Sequence, residues 1–174
     1  IAFTGGTETA WAINRSLAAR KGPIVPFIAE TGGLNAMFVD TTALKEQVVD
    51  DVILSAFGSA GQRCSALRLL LLPSDSAGDI VAGLKGAMDA LVIGDPNDPA
   101  TDTGPVIDGD ALDALQRHVQ RLEREASIVH RLAVPADLQG TYFGPVLAEV
   151  PDVDFLEHEV FGPVLHVVRY DQKR

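Results

Sequence analysis

The stretch LRLLLLPSDSAGDIVAGLKGAMDAL (residues 67–91) places a short apolar run directly before an amphipathic one. Residues 67–73 predict a buried strand, because leucine fills most of the run and a proline, which cannot donate to a sheet, ends it. The apolar side chains of residues 77–91 recur at helical spacing, and Ser74 or Ser76 can cap this helix. The stretch therefore predicts a strand followed by a helix.

The same alternation of strand-like and helix-like runs extends to both sides. Thr41 or Thr42 is a candidate N-cap for the helix that precedes residue 67. Strands that alternate with helices predict an α/β fold with a mainly parallel sheet flanked by helices. The predicted strands cover residues 1–4, 23–30, 36–40, 67–73, 127–134, 142–150 and 161–170, and the predicted helices cover residues 7–20, 43–61, 77–91 and 111–126.

Composition and charge exclude several functional classes. The chain has 24 acidic and 14 basic residues, a formal net charge of −10. Nucleic-acid binding depends on Lys and Arg that neutralise phosphates, so we expect this chain to bind no nucleic acid. No apolar run approaches the ~20 residues that span a bilayer, and no secretory leader is recognisable, so we expect no transmembrane segment. A single cysteine cannot form an internal disulfide, which favours a reducing compartment, the cytoplasm.

The single cysteine, Cys64, lies between Arg63 and Ser65 in the segment SAGQRCSALR (residues 59–68). A predicted helix ends in the preceding glycines and a strand begins soon after, so this junction can leave backbone N–H groups free. These groups, with Arg63 and Arg68, favour the nucleophilic thiolate and can stabilise an oxyanion. A lone cysteine is also commonly a small buried hydrophobe, and the segment alone leaves both possibilities open.

Metal binding is a third possibility for this thiol. Soft metal sites bring together several Cys or His at short spacings. The histidines show no such spacing with Cys64 or with each other, so we predict no metal site. A catalytic Cys–His pair would need one of them to fold against Cys64, and no local pattern singles one out. The four histidines are His118, His130, His158 and His166.

Three further segments carry candidate groups at the ends of predicted elements. Glu30 follows an apolar strand, where partial burial can tune a carboxylate as a base; the alternative is a solvated strand end. FTGGTETA (residues 3–10) puts two glycines before a helix, where N–H groups suit phosphates, although it is neither a P-loop nor GxGxxG. In EHEVFGPVL (residues 157–165), Glu159 and Phe161 precede a strand, and alone they indicate only a turn with an acidic flank.

Taken together, the order and spacing of five segments resemble the aldehyde dehydrogenase superfamily over essentially the whole chain. GPIVPFIAETGGLNAMFVD and SAGQRCSALR are most similar to the Δ1-pyrroline-5-carboxylate (glutamate semialdehyde) dehydrogenase module of bifunctional proline-degrading enzymes. The resemblance implies the α/β catalytic-domain fold of that family. The five segments are FTGGTETA, ETGGLNAMFVD, SAFGSAGQRCSALR, GDPNDPATDTGPVID and EHEVFGPVL.

The resemblance implies a role for each catalytic candidate. Cys64 matches the family's nucleophile, which attacks the aldehyde to give a thiohemiacetal and, after hydride transfer to NAD+, a thioester. The Cys64 backbone N–H would supply half of the oxyanion hole. Glu30 matches the base that activates water to hydrolyse the thioester. Ser65 is typical of the glutamate-semialdehyde branch, where it helps to hold the substrate carboxylate.

The same resemblance implies a set of NAD-binding residues. Glu159 matches the carboxylate that holds the nicotinamide ribose hydroxyls, and Phe161 matches the ring that packs near the nicotinamide. Gly5 and Gly6 match the turn near the cofactor pyrophosphate. The family more often has serine at the position of Gly6, so only a backbone contact remains there.

The resemblance also implies a domain organisation and a parent protein. Residues 1–29 would be the tail end of the NAD-binding domain with its crossover, and residues 30–174 a catalytic domain truncated at its C-terminus. The family's oxyanion-hole asparagine, adenosine-ribose lysine and substrate-anchoring loop have no counterpart here, so we expect a fragment that is inactive alone. FAD is expected only in a proline dehydrogenase module of the parent, which is expected to be a homo-oligomer. The alternatives are a dehydrogenase for another aldehyde or a catalytically silent structural fragment.

Overall fold

The computed structural model describes residues 1–171. The chain divides into two compact units, Ile1–Gly33 and Leu34–Arg174. The domain boundary that we place between residues 29 and 30 stays a prediction. The first unit contains two parallel strands and the helix between them, which are β1 (Ala2–Thr4), α1 (Thr7–Ala18) and β2 (Ile28–Glu30).

A five-stranded sheet organises the second unit. Its strands are β3 (Ala36–Phe38), β4 (Leu69–Pro73), β5 (Ser127–Arg131), β6 (Val146–Glu149) and β7 (Val164–Tyr170). Their order across the sheet is β3-β4-β7-β6-β5, and each neighbouring pair is parallel except β5 and β6. The predicted α/β class with a mainly parallel sheet is confirmed.

Helices cover both faces of this sheet. Helices α2 (Lys45–Phe57) and α3 (Ser74–Asp89) pack on one face, and α4 (Gly109–Glu125) packs on the other. Successive strand residues point to opposite faces, so Leu70 packs with α2 and α3 whereas Leu69 packs with α4. Because both faces of β4 are buried, its side chains are all apolar and do not alternate between apolar and polar.

Helix α2 differs at both ends from the predicted helix over residues 43–61. Its N-cap is Leu44, so the predicted threonine cap is wrong; the Thr42 hydroxyl donates instead to Asp40 Oδ1 over 2.7 Å. The helix ends at Phe57, because the following residues turn into a left-handed conformation. The segment before Cys64 is therefore a turn.

The other two helices of this unit begin in different ways. Helix α3 starts directly after Pro73 without a side-chain cap, so the predicted serine cap is wrong. The Ser74 hydroxyl donates instead to the Tyr170 carbonyl oxygen over 3.1 Å. Helix α4 is capped by Asp108, whose Oδ1 accepts from the Ala111 N–H over 2.9 Å. Within residues 1–171, no helix is long and apolar enough to cross a membrane.

Candidate active site

Cys64 lies on an exposed β-turn that precedes β4. The Ala66 N–H donates to the Arg63 carbonyl oxygen over 3.0 Å, which closes the turn with Cys64 and Ser65 at its centre. Both central side chains are exposed. Among the described residues, no acceptor binds the Cys64 N–H. The thiol and this N–H are therefore both open to an incoming carbonyl group. We call residues 63–66 the nucleophile turn.

The chain reaches the nucleophile turn through three successive residues with positive φ. These are Ser59 (56°), Ala60 (53°) and Gly61 (63°). This conformation is strained for residues with a Cβ, so the surrounding structure must fix it. At Gly61 a Cβ would lie 2.3 Å from the Gly162 carbonyl oxygen and 2.9 Å from that of Ala56. Only glycine permits this close packing against the loop before β7.

Asn35 anchors the nucleophile turn by its side-chain amide. Its Nδ2 donates to the carbonyl oxygens of Cys64 (2.6 Å) and Ala66 (3.0 Å). The Asn35 carbonyl oxygen accepts from the N–H groups of Arg68 (3.0 Å) and Leu69 (3.1 Å). The sequence did not single out Asn35, because its partner Cys64 is 29 residues away and no local pattern indicates the contact.

Arg68 is fully buried, and its guanidinium joins the nucleophile turn to the loop before β7. Nε and Nη2 donate to Glu159 Oε1 over 3.3 and 3.0 Å. Nη1 donates to the Gly162 carbonyl oxygen over 3.0 Å, and Nη2 also donates to the Arg63 carbonyl oxygen over 3.3 Å. Burial lowers the pKa of Arg68, and the hydrogen bond and charge of Glu159 oppose this shift. From the sequence we expected this charge to act on the thiol, whereas in the structure it pairs with Glu159.

Glu159 and Phe161 lie beside Arg68 in the loop before β7. The Glu159 side chain is 15% exposed, and Arg68 uses only its Oε1, so Oε2 can accept from a ligand. The Phe161 ring is 44% exposed, and its centroid lies 5.4 Å from Arg68 Cζ, within cation–π range. Two of the predicted NAD-binding residues are thus connected to the nucleophile turn through one guanidinium.

Two histidines form a hydrogen-bonded pair next to Arg68. His166 Nε2 is 2.7 Å from His118 Nε2, and His166 Nδ1 is 2.9 Å from the Arg68 carbonyl oxygen. Because a carbonyl oxygen only accepts, neutral His166 carries its proton on Nδ1 and donates it to Arg68. Its Nε2 is then unprotonated and accepts from His118 Nε2. Burial lowers the pKa of each histidine to about 4.

In the part of the chain that the structure describes, no three His, Cys, Asp or Glu residues are grouped to hold a metal ion.

The first unit holds the other predicted site residues. Strand β2 ends at Glu30, whose side chain is exposed, so the expected partial burial of this carboxylate is wrong. The turn between β1 and α1 contains Gly5 and Gly6. The Gly5 N–H donates to the Glu30 carbonyl oxygen over 3.1 Å, so these residues are neighbours. Gly6 is the N-cap of α1, where the N–H groups of the first turn are available to an anion.

A shallow cavity of about 210 Å³ adjoins the nucleophile turn. Arg63 and Ser65 of the turn line it together with Asp51, Leu54 and Ser55 of α2. The Arg63 guanidinium and the Ser65 hydroxyl can donate hydrogen bonds, and the Asp51 carboxylate can accept them. The cavity therefore offers both donors and an acceptor to a polar group beside the nucleophile turn.

Comparison with known proteins identifies the family. The sequence profile of the aldehyde dehydrogenase family matches residues 1–174. The chain belongs to the aldehyde dehydrogenase family. The bifunctional protein PutA of Klebsiella aerogenes is 47% identical over 182 residues, which cover 99% of this chain and 14% of that protein. N-succinylglutamate 5-semialdehyde dehydrogenase of Novosphingobium aromaticivorans is 35% identical over 175 residues, which cover 98% of this chain and 36% of that protein.

The fold is shared with solved structures of PutA. The crystal structure of a variant of Bradyrhizobium japonicum proline utilization A (PutA) superimposes with a TM-score of 0.94 at 52% identity, covering 98% of this chain and 17% of that chain. The predicted family, fold and similarity to a module of bifunctional proline-degrading enzymes are confirmed. This chain spans only about 14% of the curated PutA relatives it matches. The roles of the individual site residues stay predictions.

Proposed function

We propose that this chain is the catalytic part of an NAD-dependent dehydrogenase that oxidises L-glutamate γ-semialdehyde, formed from Δ1-pyrroline-5-carboxylate, to L-glutamate in proline catabolism. The observation that carries the proposal is the position of Cys64, the only cysteine of the chain, on an exposed turn. Asn35 and Arg68 hold the backbone of that turn, and a nucleophile needs such a defined position. Family membership and the similarity to PutA support the same activity.

The proposed reaction begins with Cys64. Its thiolate sulfur forms a bond to the aldehyde carbon while the carbonyl electrons move to oxygen, and the Cys64 N–H donates to that oxyanion. Bound NAD+ supplies the hydride acceptor. When the oxyanion electrons re-form the C=O bond, the hydride leaves carbon and a thioester remains on Cys64. Aldehyde, NAD+ and water thus give carboxylate, NADH and two protons.

Glu30 is the proposed base for hydrolysis of the thioester. Its carboxylate takes a proton from water as the water oxygen attacks the thioester carbon, and the C–S bond then breaks to release the acid. Support comes from its place in the ETGG segment, which resembles the family's motif. Hydride transfer does not need this proton transfer, so the two steps can be separated experimentally.

Four residues are the proposed NAD-binding residues, and their chemistry fits the cofactor. Glu159 Oε2, which Arg68 does not use, can accept from ribose hydroxyls, and the half-exposed Phe161 ring offers an apolar surface to the nicotinamide. The backbone of Gly5 and Gly6 at the N-terminus of α1 suits a pyrophosphate.

The substrate is proposed to carry a carboxylate. Ser65 and Arg63 line the cavity beside the nucleophile turn, where both can donate to an acidic group. A relative that is 35% identical acts, by its name, on the 5-semialdehyde of N-succinylglutamate. We propose a cytoplasmic, homo-oligomeric parent protein in which FAD belongs to a separate proline dehydrogenase module, as the bifunctional relatives suggest.

The test is NADH formation by the whole protein that contains this chain, with glutamate semialdehyde and with propanal as substrates. We expect selective oxidation of the semialdehyde and loss of activity in Cys64→Ala. Ser65→Ala should raise the KM for the semialdehyde more than the KM for propanal. Equal turnover of both aldehydes would favour a dehydrogenase of other specificity. No oxidation of either would favour a catalytically silent structural domain.

A further inference from the structure

Among the described residues, Arg68 is the only charged side chain in the core. Its guanidinium forms hydrogen bonds with two loops and with no core strand or helix. Its guanidinium is fully buried, yet every acceptor it contacts belongs either to the nucleophile turn or to the loop before β7. A buried charge is costly unless it is paired and hydrogen-bonded. An apolar side chain of similar volume would fill the same space without the cost of burying a charge. Packing alone therefore does not explain why an arginine is buried here.

The geometry of these contacts needs an arginine in particular. Three different nitrogens of one rigid plane reach the Glu159 carboxylate, the Gly162 carbonyl and the Arg63 carbonyl. A lysine ammonium has its three donors on one atom and cannot reach acceptors spread in this way. A shift of either loop would therefore break hydrogen bonds to the other.

A second contact joins the same two loops at the backbone. Gly61, just before the nucleophile turn, packs directly on the Gly162 carbonyl group that accepts from Arg68. The Cζ of the same guanidinium lies over the ring of Phe161, which is next to Gly162 in the chain. The two loops are thus joined through Arg68, which pairs with Glu159 and donates to the carbonyl oxygens of Gly162 and Arg63. The backbone contact of Gly61 with Gly162 joins them a second time.

We propose that Arg68 is a positioning residue that holds Glu159 and the nucleophile turn in a fixed relative geometry, so that cofactor binding and thiol presentation depend on each other. Arg68 holds Glu159 by Oε1 and so directs Oε2 outward to the ribose. Through the Arg63 carbonyl, the same guanidinium orients the turn that carries Cys64. This inference rests on the proposed function for its NAD-binding half, whereas its effect on the nucleophile turn does not.

The experiment compares Arg68→Met, Arg68→Lys, Glu159→Gln and the double variant Arg68→Met/Glu159→Gln in the whole protein. Arg169→Met is the matched control, because Arg169 forms a similar two-nitrogen pair with Glu149 at an exposed site. The measurements are the dissociation constant for NAD+ and the rate of Cys64 alkylation by iodoacetamide, followed on the Cys64 peptide by mass spectrometry.

We expect Arg68→Met to weaken NAD+ binding about tenfold or more, the range for loss of one charge-assisted hydrogen bond. Glu159→Gln should weaken it similarly, and the double variant should be no worse than the worse single variant, since both remove one interaction. Arg68→Lys should restore folding stability without restoring NAD+ affinity fully. Arg68→Met and Arg68→Lys should both change the alkylation rate of Cys64 at least severalfold, and Arg169→Met should change neither quantity.

Additive effects on NAD+ affinity would overturn the proposal, because Arg68 would then act independently of Glu159. Wild-type affinity and alkylation rate in a folded Arg68→Lys would also overturn it, since charge alone would suffice. If Arg68→Met does not fold, Arg68→Lys and Glu159→Gln carry the comparison. If the wild-type protein binds no NAD+ and oxidises no aldehyde, the proposed function fails, and the alkylation rates still decide whether Arg68 holds the nucleophile turn.

Discussion

The Asn35 side-chain amide donates to the carbonyl oxygen of Cys64 over 2.6 Å and to that of Ala66 over 3.0 Å. One side chain thereby fixes the backbone on both sides of Ser65. The contact with the Cys64 carbonyl oxygen fixes the peptide plane between Cys64 and Ser65. The preceding peptide plane, which carries the Cys64 N–H, is held by Arg68 through the Arg63 carbonyl oxygen.

Replacing Asn35 tests this anchor. Asn35→Ala removes two donors and should lower the free energy of unfolding by about 1–2 kcal/mol. Asn35→Asp should cost more, because carboxylate oxygens would face two carbonyl oxygens. Denaturant unfolding measures both, and Asn97→Ala in an exposed loop is the control, with an effect within about 0.5 kcal/mol. Equal effects for Asn35→Ala and Asn97→Ala would show that the anchor contributes no stability.

Gly61→Ala should destabilise the protein by at least about 2 kcal/mol. The added Cβ would lie 2.3 Å from the Gly162 carbonyl oxygen, and the residue would keep a φ of 63°. Gly86→Ala is the control, because Gly86 is exposed on α3 with no atom near its Cβ position, and it should stabilise by about 0.5–1 kcal/mol. A neutral Gly61→Ala in the same unfolding measurement would contradict the close contact between the two loops.

The histidine pair predicts a pH-dependent stability. Burial lowers the pKa of His118 and His166 to about 4, below the value of about 6.5 expected in the unfolded chain. The unfolded state therefore binds protons first, and stability that is present above pH 6.5 is lost as the pH falls from about 6.5 to about 4. Each histidine contributes at most about 1.4 kcal/mol per pH unit, and the half-buried His118 contributes less.

The measurement is the free energy of unfolding between pH 4 and pH 7. His166→Gln should flatten the pH dependence in this window relative to the wild type, because glutamine does not titrate. The control is Gln120→Ala, an exposed substitution on α4, the helix that also carries His118. It should leave the dependence of the unfolding free energy on pH as in the wild type. An unchanged slope in His166→Gln would contradict the assignment of the titration to this pair.

Glu30→Gln should separate the two halves of the proposed reaction. Hydride transfer needs no base at Glu30, so a stopped-flow trace should show a normal burst of NADH. Steady-state turnover should fall by roughly 10²–10⁴-fold, the usual contribution of a general base. Glu46→Gln, an exposed change in α2, is the control. Normal steady-state turnover in Glu30→Gln would refute the proposed role.

Sequence patterns predicted the elements of the fold, because strand and helix periodicities are local. The leucine run at residues 67–73 forms β4 at Leu69–Pro73, and the strand–helix alternation correctly indicated a mainly parallel sheet. The threonine cap of α2 was wrong, because competing local hydrogen bonds are not visible in a pattern. The left-handed residues Ser59 and Ala60 depend on tertiary packing, and no propensity indicates them.

For the candidate site, the sequence indicated some of the residues but not the contacts that connect them. The family's motifs pointed to Cys64 and Glu159, whose roles stay predictions, but not to what connects them. Arg68 and Glu159 are 91 residues apart in the sequence, and the partner of a buried charge cannot be read from its neighbours. The sequence patterns likewise did not single out Asn35, whose partner Cys64 is 29 residues away. Asn35 and Arg68 hold backbone carbonyl groups of other segments. Such contacts can be recognised only in the folded chain.

The most direct test of the central claim is to trap the proposed thioester. Glu30→Gln in the whole protein is mixed with NAD+ and glutamate semialdehyde, quenched in acid to keep the substrate amine protonated, and digested in acid with pepsin. The peptides that contain Cys64, the only cysteine of this chain, are then analysed by mass spectrometry. We predict a glutamyl adduct on Cys64 that requires NAD+ and is missing in Cys64→Ala. A burst of NADH without an adduct on Cys64 would contradict the proposed thioester.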